Sequence, residues 1–375
     1  MVKIFIPLTL IALALLCDFH LFNKYVRVES VWRWAWWLPS AVVIGFIVKF
    51  MFFHHGLVAE YSTTNIFLLL MLLFCVPKML YAAFSFIPKV GPYIGGTLAI
   101  GVVYIIIYGI TYGFMQQKVT HVTYEDESVP EAFDGYRIAV FSDTHTGVFR
   151  GPYRDLLKES LDTLNSYNPD LICFVGDIEN FSPEELEPHK EAYSSLKARD
   201  GVFAIMGNHD YSTYIKQTDR QRAMMVKRTR EMQREFGWTL LEDENRTIHR
   251  GSDSIVVMGE ENWGLPPFPQ YGNIKKTIKG VKPEHFKIML SHDPNAWRAH
   301  ILPLIRPNIT FSGHTHGAQF SLFGWSPASS IYREWGGRFD DKEAMIYTST
   351  GLGGNFPFRF GMPREIVIVT LKKKK

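Results

Sequence analysis

The chain has 375 residues, a formal net charge of +3 and three cysteines. This length allows two structural units, because one domain usually takes about 100–200 residues, while the small net charge argues against the basic surface of a nucleic-acid-binding protein. The cysteines have no metal-ligand spacing to one another, which argues against a disulfide framework and a cysteine-based metal site.

The first third of the chain contains four apolar segments, each close to the roughly 20 residues that a helix needs to cross a bilayer. They are Ile4–Phe22, Trp34–Phe53, Asn65–Ile87 and Ile94–Met115. Tryptophans gather at the start of the second segment, where amphipathic rings favour the membrane interface, and glycines in the fourth segment allow close helix packing. We predict a four-helix transmembrane region over residues 1–118, followed by a linker at 119–134.

Two other interpretations of these segments are a cleaved signal peptide and buried helices of a soluble fold. No small-residue cleavage site follows Cys17, and four such segments in the first 115 residues do not suit a soluble core. Near the segment ends, three basic residues lie on the side of the C-terminal domain and four on the opposite side. Because positive charge favours the cytoplasm, this count favours a C-terminal domain outside it.

From residue 136 onward, short apolar runs alternate with polar stretches of helical character, which is the pattern of an α/β domain. The predicted strands are Arg137–Phe141, Leu171–Val175, Val202–Met206, Ile255–Met258, Phe286–Leu290, Ile309–Phe311, Ala344–Ser349 and Glu365–Leu371. The predicted helices are Tyr153–Ser166, Pro183–Ala198 and Thr218–Phe236. We therefore predict an α/β domain over residues 135–375.

Candidate site residues follow the predicted strands directly, where sites form in open α/β sheets. They are Asp143, His145, Asp177, Asn208, His209, Asp210, His292, His314 and His316. Residues i and i+2 of an extended segment point to the same side, so Asp143 with His145, and His314 with His316, can converge on one ion. Carboxylate, imidazole and amide oxygen ligands suit divalent metals such as Mn, Fe or Zn.

Five segments carry this pattern in order: Ser142–His145, Gly176–Asp177, Gly207–Asp210, Ser291–Asp293 and Gly313–His316. In this order they resemble the calcineurin-like metallophosphoesterase superfamily, over residues 136–371. The closer resemblance is to its membrane-associated bacterial branch, related to UDP-diacylglucosamine hydrolases and cell-envelope phosphoesterases. The motifs of that branch are found in Asp134–Ile138, Gly313–Gln319, Gly351–Gly353 and Pro363–Ile366. The branch usually has a glycine where this chain has Ala318.

The resemblance implies a four-layer αββα sandwich that hydrolyses a phosphoester or pyrophosphate bond with two divalent ions and a bridging hydroxide. One ion would be held by Asp143, His145, Asp177 and His316, and the other by Asp177, Asn208, His292 and His314. His209 would act as general acid or steady the phosphoryl oxygen, and Asp210 would orient its imidazole. The implied substrate is a phosphorylated small molecule or a lipid-linked compound, such as a nucleotide-linked lipid, and the implied location is a bacterial inner membrane.

Other functions and features are also open at this level. A non-catalytic membrane sensor or scaffold would be expected to lose its acid or a metal ligand, and a transporter would be expected to carry charges within its spans. The basic stretch Lys216–Arg234 is either a solvated helix face or a surface for anionic lipid headgroups. The loop Trp263–Pro269 can contact lipid, line a pocket rim or simply pack.

Overall fold

The computed structural model describes residues 2–26, 31–52, 66, 69–266 and 268–375. The chain divides into two compact units, Met1–Thr111 and Tyr112–Lys375. The boundary between the units therefore precedes residue 118, where the predicted transmembrane region ends.

The first unit is helical. Its α-helices are Val2–Tyr25, Leu38–Phe52, Val76–Ser85 and Gly91–Thr111, with a 3-10 helix at Val31–Trp37 and a π-helix at Met71–Cys75. The π-helix ends two residues before Pro77, which has no backbone N–H to donate and so disturbs the regular hydrogen-bond ladder.

The described residues contain one helix that is long and apolar enough to cross a membrane, Gly91–Met115. A shorter apolar helix covers Met71–Ser85. Phe53 and Asn65, which bound two of the predicted segments, lie outside the described residues. Of the four predicted spans, the structure thus supports the last by length and composition, and the multi-span prediction is not confirmed.

A buried ion pair joins two helices of this unit. The ammonium group of Lys78 lies 2.8 Å from a carboxylate oxygen of Asp18, whose side chain is fully buried. The same ammonium group lies 4.6 Å from the centre of the Trp36 ring. Lys78, which interrupts the third apolar segment of the sequence, therefore has a partner in the first.

The second unit contains two six-stranded mixed sheets. The strands are β1 (Gln117–Asp126), β2 (Arg137–Phe141), β3 (Leu171–Phe174), β4 (Val202–Ala204), β5 (Thr239–Leu240), β6 (Glu244–Arg250), β7 (Asp253–Gly259), β8 (Phe286–Leu290), β9 (Ile309–Ser312), β10 (Gly337–Asp341), β11 (Ala344–Thr348) and β12 (Arg364–Lys373). Their orders are β1-β12-β2-β3-β4-β5 and β10-β11-β9-β8-β7-β6. The central strands are parallel neighbours, so their carboxyl ends meet at the same edge.

The main core lies between the two sheets. Val140 and Cys173 of the first sheet belong to the same buried cluster as Val257 and Ile288 of the second. The α-helices of this unit are Leu156–Ser166, Lys190–Ser194, Asp219–Glu235, Ile274–Thr277 and Leu302–Leu304. The fold is thus α/β with two mixed sheets, in agreement with the inner layers of the predicted sandwich.

The segment 119–134, predicted as a linker, contains most of strand β1. This strand pairs in parallel with β12 from Gln117 opposite Arg364 to Asp126 opposite Lys373. It lies at the edge of its sheet and is half exposed, so its sequence mixes polar with apolar residues. An edge strand of this kind lacks the continuous apolar run by which buried strands are recognised.

Candidate metal centre

The side chains predicted as ligands meet where the central strands of both sheets end. Asp143 follows β2 and Asp177 follows β3 in the first sheet. His292 follows β8 and His314 follows β9 in the second sheet. Because these strands are parallel within each sheet, four segments that are far apart in sequence deliver their polar residues to one place.

The candidate ligand atoms form two groups that share Asp177. Asp143, His145, Asp177 and His316 make up one group, and Asp177, His292 and His314 the other, with all candidate atoms of a group within 4.8 Å of one another. The Oδ2 atom of Asp177 lies 3.5 Å from His145 Nε2 and 3.2 Å from His292 Nε2. One carboxylate thus faces both groups.

Asn208 extends the second group. Its side-chain Oδ1 lies 2.7 Å from His314 Nδ1, and its Nδ2 donates a hydrogen bond to the hydroxyl of Tyr214 at 2.7 Å. The second bond fixes the orientation of the amide, so that its oxygen rather than its nitrogen faces the other ligands.

The backbone at the site is held in an unusual conformation. The candidate ligands with left-handed φ angles are Asp143 (49°), His145 (42°), Asp177 (59°), His314 (72°) and His316 (51°). Each such residue costs on the order of 1–3 kcal/mol and persists only where its surroundings hold it. Tight turns immediately after the strands therefore aim these side chains inward at the expense of local stability.

Two glycines allow the close approach of these turns. A Cβ atom at Gly207 would collide with the Asp177 carboxylate, and one at Gly313 would collide with the Asp143 carboxylate. The same carboxylates accept backbone N–H groups from His209 at 2.8 Å and from His314 at 3.0 Å. At Gly207 and Gly313 the backbone thus lies so close to a carboxylate that only glycine fits.

At Ala318, where the resemblance implies a glycine, φ is 52°. Alanine pays about 1–2 kcal/mol for a left-handed conformation that glycine adopts freely. The structure therefore explains the usual glycine, while the alanine side chain lies in the cavity wall.

Burial is the largest influence on the pKa values of the site. It raises the pKa of Asp143 to about 7 and, together with the charge on His292, lowers the pKa of His314 to about 3. Burial also opposes charge on His292 and Asp177, but their mutual attraction outweighs it. The pKa of His292 rises to about 10, and that of Asp177 falls well below its usual range. The buried carboxylate thus requires positive charge beside it.

The residues present fit divalent cations. The buried His292 Nε2 lies 3.2 Å from Asp177 Oδ2 and, among the described residues, donates no hydrogen bond within normal geometric limits. His145 and His316 point their Nε2 atoms at each other, 3.1 Å apart. Imidazole nitrogens that converge with carboxylate and amide oxygens form a donor set suited to Mn, Fe or Zn.

Asp210 does not have the contact predicted for it. Its carboxylate accepts backbone N–H groups from Asp177 (3.0 Å), Ile178 (2.8 Å), Glu179 (3.2 Å) and Gly207 (2.8 Å). The His209 ring instead donates from Nδ1 to the carbonyl of Asn180 at 2.7 Å. The prediction that Asp210 orients His209 is therefore wrong, because strong backbone donors next to Asp210 occupy its carboxylate. Asp210 is a positioning residue for the Asp177 turn.

Besides Tyr214, which binds Asn208, sequence reasoning missed Asn180 and Tyr332 at the site. Asn180 holds His209 through its carbonyl, and its side-chain Nδ2 lies 3.3 Å from His145 Nδ1. The hydroxyl of Tyr332 lies 3.0 Å from His314 Nε2. Neither residue has a motif of its own, although the position of Asn180 three residues after Asp177 was a usable signal.

A cavity of about 290 Å³ opens beside the metal centre. Its wall includes Asp177, His209 and His314, together with Phe268 and Tyr332. The Phe268 ring packs edge-on against His314, with ring centres 4.5 Å apart. Of the three interpretations of the Trp263–Pro269 loop, the pocket rim therefore agrees with the position of Phe268; Pro267 lies outside the described residues.

Most of the basic stretch lies in the helix Asp219–Glu235, and several of its cations have acidic partners. Arg228 pairs with Glu187 and Glu235, and Arg230 with Glu242 and Glu261. Arg234 also pairs with Glu242. This pairing agrees with a solvated helix face and leaves less positive charge for anionic lipid headgroups.

Comparisons with known proteins give a consistent result. The family model described as calcineurin-like phosphoesterase matches residues 136–318. The Bacillus subtilis protein named uncharacterized metallophosphoesterase YkuE is 30% identical over 295 residues, which cover 74% of this chain and 94% of that protein. A Danio rerio transmembrane protein with metallophosphoesterase domain is 27% identical over 280 residues, covering 71% of this chain and 60% of that protein. The Chlamydia trachomatis UDP-2,3-diacylglucosamine pyrophosphatase LpxG is 25% identical over 307 residues, covering 68% of this chain and 90% of that protein.

Proposed function

Because the chain belongs to the calcineurin-like metallophosphoesterase family, whose members are metal-dependent phosphoric ester hydrolases, we propose that it cleaves a phosphoester or pyrophosphate bond of a lipid-linked substrate. The observation that carries this proposal is the convergence of two groups of metal-ligand side chains on the shared carboxylate of Asp177. The adjoining cavity of about 290 Å³ is the space for the substrate phosphate.

In this proposal each group holds one divalent ion. The first set of ligands is Asp143, His145, Asp177 and His316, and the second is Asp177, Asn208, His292 and His314. Two such ions, when bound, lower the pKa of a shared water and neutralise charge on the phosphoryl oxygens during an in-line displacement. The chain contributes the fixed ligand geometry, through the Asp210 carboxylate and the backbone N–H groups that orient Asp177 and Asp143.

His209 is the proposed general acid. Burial lowers the pKa of its imidazole, and donation from Nδ1 to the Asn180 carbonyl leaves Nε2 free to act on the substrate side. The ring is also stacked on Tyr214, with centres 4.2 Å apart. A bound phosphate would favour the charged imidazolium, whose Nε2–H then donates to a phosphoryl or leaving oxygen.

Membrane attachment supports the choice of a lipid-linked substrate. The helix Gly91–Met115 meets the length and composition of a span, and a relative bears the name of a pyrophosphatase acting on a diacylated sugar nucleotide. The four apolar segments of the sequence support a multi-pass anchor in a bacterial inner membrane, and their flanking basic residues support an extracytoplasmic catalytic unit.

Hydrolysis by the purified full chain in detergent micelles tests the proposal. With Mn²⁺ added, we expect release of nitrophenol from bis(p-nitrophenyl) phosphate or p-nitrophenyl phosphate, and its loss on treatment with EDTA. An extracted bacterial lipid pool incubated with the same protein should lose a phosphate-containing species. A protein that retains its metal and yet hydrolyses neither aryl substrate would count against the proposed chemistry.

A further inference from the structure

A short apolar hairpin projects from the catalytic unit next to the cavity. Leu322 and Trp325 exchange backbone hydrogen bonds of 2.9 and 3.1 Å. Between them, Phe323 and Gly324 have φ angles of 53° and 83°, the left-handed pair that makes a tight hairpin turn. Phe323 is 100% exposed at the tip. A large aromatic side chain therefore stands at a turn position that favours Gly or Asn.

The apolar surface continues beyond the tip. Trp325 is 54% exposed, Leu322 40% and Ile331 74%. We call these three residues and Phe323 the hairpin patch. Isolated exposed apolar residues need no explanation, whereas contiguous apolar patches often mark interaction surfaces, and here four exposed apolar residues lie within ten residues of chain.

We propose that the hairpin patch inserts into the interface of the bilayer to which the chain is attached. A narrow turn that exposes Phe and Trp protrudes from the surface, so it can insert into a lipid layer but cannot enclose a ligand. Aromatic side chains of this kind favour the membrane–water boundary. Arg333 lies two residues after Ile331, the last residue of the patch. Its side chain is 74% exposed, with Nε 3.6 Å from Glu334 Oε1, and it can reach lipid phosphates while the apolar residues enter the acyl region.

Chain connectivity favours a lipid surface over a partner protein. Only Gln116 separates the apolar helix segment Gly91–Met115 from the first residue of β1. With that helix in a bilayer, as proposed above, the one-residue connection keeps the catalytic unit close to lipid, which favours lipid over a soluble protein as the partner of the exposed apolar tip.

The patch also borders the route to the metal centre. Ile331 belongs both to the patch and to the cavity wall, followed by Tyr332, which contacts His314. Insertion at this rim would let a lipid keep its acyl chains in the bilayer while its phosphate enters the cavity. This consequence for the substrate rests on the proposed hydrolysis, whereas insertion of the patch rests only on the proposed membrane attachment.

Photo-crosslinking in nanodiscs tests the insertion. The full chain is reconstituted with phosphatidylglycerol that carries a diazirine in its acyl chain, irradiated, and digested for mass spectrometry. We expect lipid adducts on the peptide containing residues 322–331. In Phe323→Ser/Trp325→Ser we expect these adducts to fall at least about ten-fold. The matched control is Met224→Ser, which removes an apolar side chain that is 63% exposed on the helix Asp219–Glu235 and should leave the adducts unchanged.

Hydrolysis of soluble bis(p-nitrophenyl) phosphate by the same samples separates the two proposals. Phe323 and Trp325 are outside the cavity lining of the described residues, so the double variant should keep the wild-type rate within about two-fold. Adducts confined to the helical unit of the wild type would overturn the insertion even if the soluble ester is hydrolysed. Abundant hairpin adducts without any hydrolysis would support the insertion and leave the proposed function contradicted.

Discussion

At the scale of single residues, the centre is built around the Asp177 carboxylate, which faces both groups of candidate ligands. The ligand residues could be predicted because Asp and His directly follow buried apolar strands, a placement with a physical consequence in parallel sheets. The role of Asp210 could not, because it depends on which backbone N–H groups the folded turn brings to its carboxylate. Tyr332 likewise reaches His314 only through tertiary packing.

Replacing His209 by alanine separates catalysis from a structural role of the metals. We expect kcat for an aryl phosphate ester to fall by roughly 10²–10⁴-fold, the usual contribution of a general acid. Metal content, measured by inductively coupled plasma mass spectrometry, should stay at the wild-type value because the His209 ring is outside both ligand groups.

His249→Ala is the matched control, since it removes an exposed imidazole on strand β6, outside both ligand groups, and should leave kcat unchanged. An undiminished rate in His209→Ala would support the non-catalytic sensor or scaffold instead.

The Asp210→Asn variant distinguishes the two roles considered for this carboxylate. An amide NH₂ would face backbone donors that now bind carboxylate oxygens, so the Asp177 turn should loosen. We expect metal affinity to fall by about 10–100-fold, as for other supports of metal ligands. Titration with Mn²⁺ measures this affinity. Unchanged affinity with an altered pH profile of kcat would instead indicate an action on His209.

At the scale of elements, central strands were predictable and edge elements were not. Strands β2, β3, β8 and β9 are buried on both faces and appear in the sequence as continuous apolar runs. Strand β1 is half exposed at a sheet edge, and its pairing with β12 connects residues that are far apart in sequence. Its position could not be inferred from local pattern.

The predicted helix Pro183–Ala198 is a second element that local sequence pattern did not predict correctly. The structure has 3-10 turns at Pro183–Glu185 and Glu187–His189 and a short helix at Lys190–Ser194. Pro188 interrupts the run because it lacks an N–H and crowds the preceding turn. Glu185 accepts backbone N–H groups from Asn180 and Phe181, so the broken segment supports the loop that holds His209.

The ion pair between Asp18 and Lys78 gives a prediction for the helical unit. Lys78→Met should lower the free energy of unfolding by roughly 3–5 kcal/mol, because it leaves a buried carboxylate without its partner. Thermal unfolding of the detergent-solubilised chain measures the loss.

The control for the ion pair is the double variant Asp18→Leu/Lys78→Met, which removes both charges and should recover most of the stability. Equal losses in the single and double variants would show that the pair is not coupled.

At the scale of the whole molecule, a helical unit precedes an α/β unit of the metallophosphoesterase family. The average composition of the chain conceals this division, whereas its distribution along the sequence reveals it. The chain spans 94% of the Bacillus relative but 60% of the Danio relative. The site lies wholly within the second unit, so its chemistry can be measured independently of how many helices cross the membrane.

The most direct test of the central claim is metal stoichiometry, measured on the purified chain together with hydrolysis of bis(p-nitrophenyl) phosphate. The shared position of Asp177 predicts about two divalent ions per wild-type chain. It also predicts that Asp177→Asn loses metal and that its rate falls by on the order of 10³-fold or more. A variant that keeps both ions and the wild-type rate would contradict the two-metal centre.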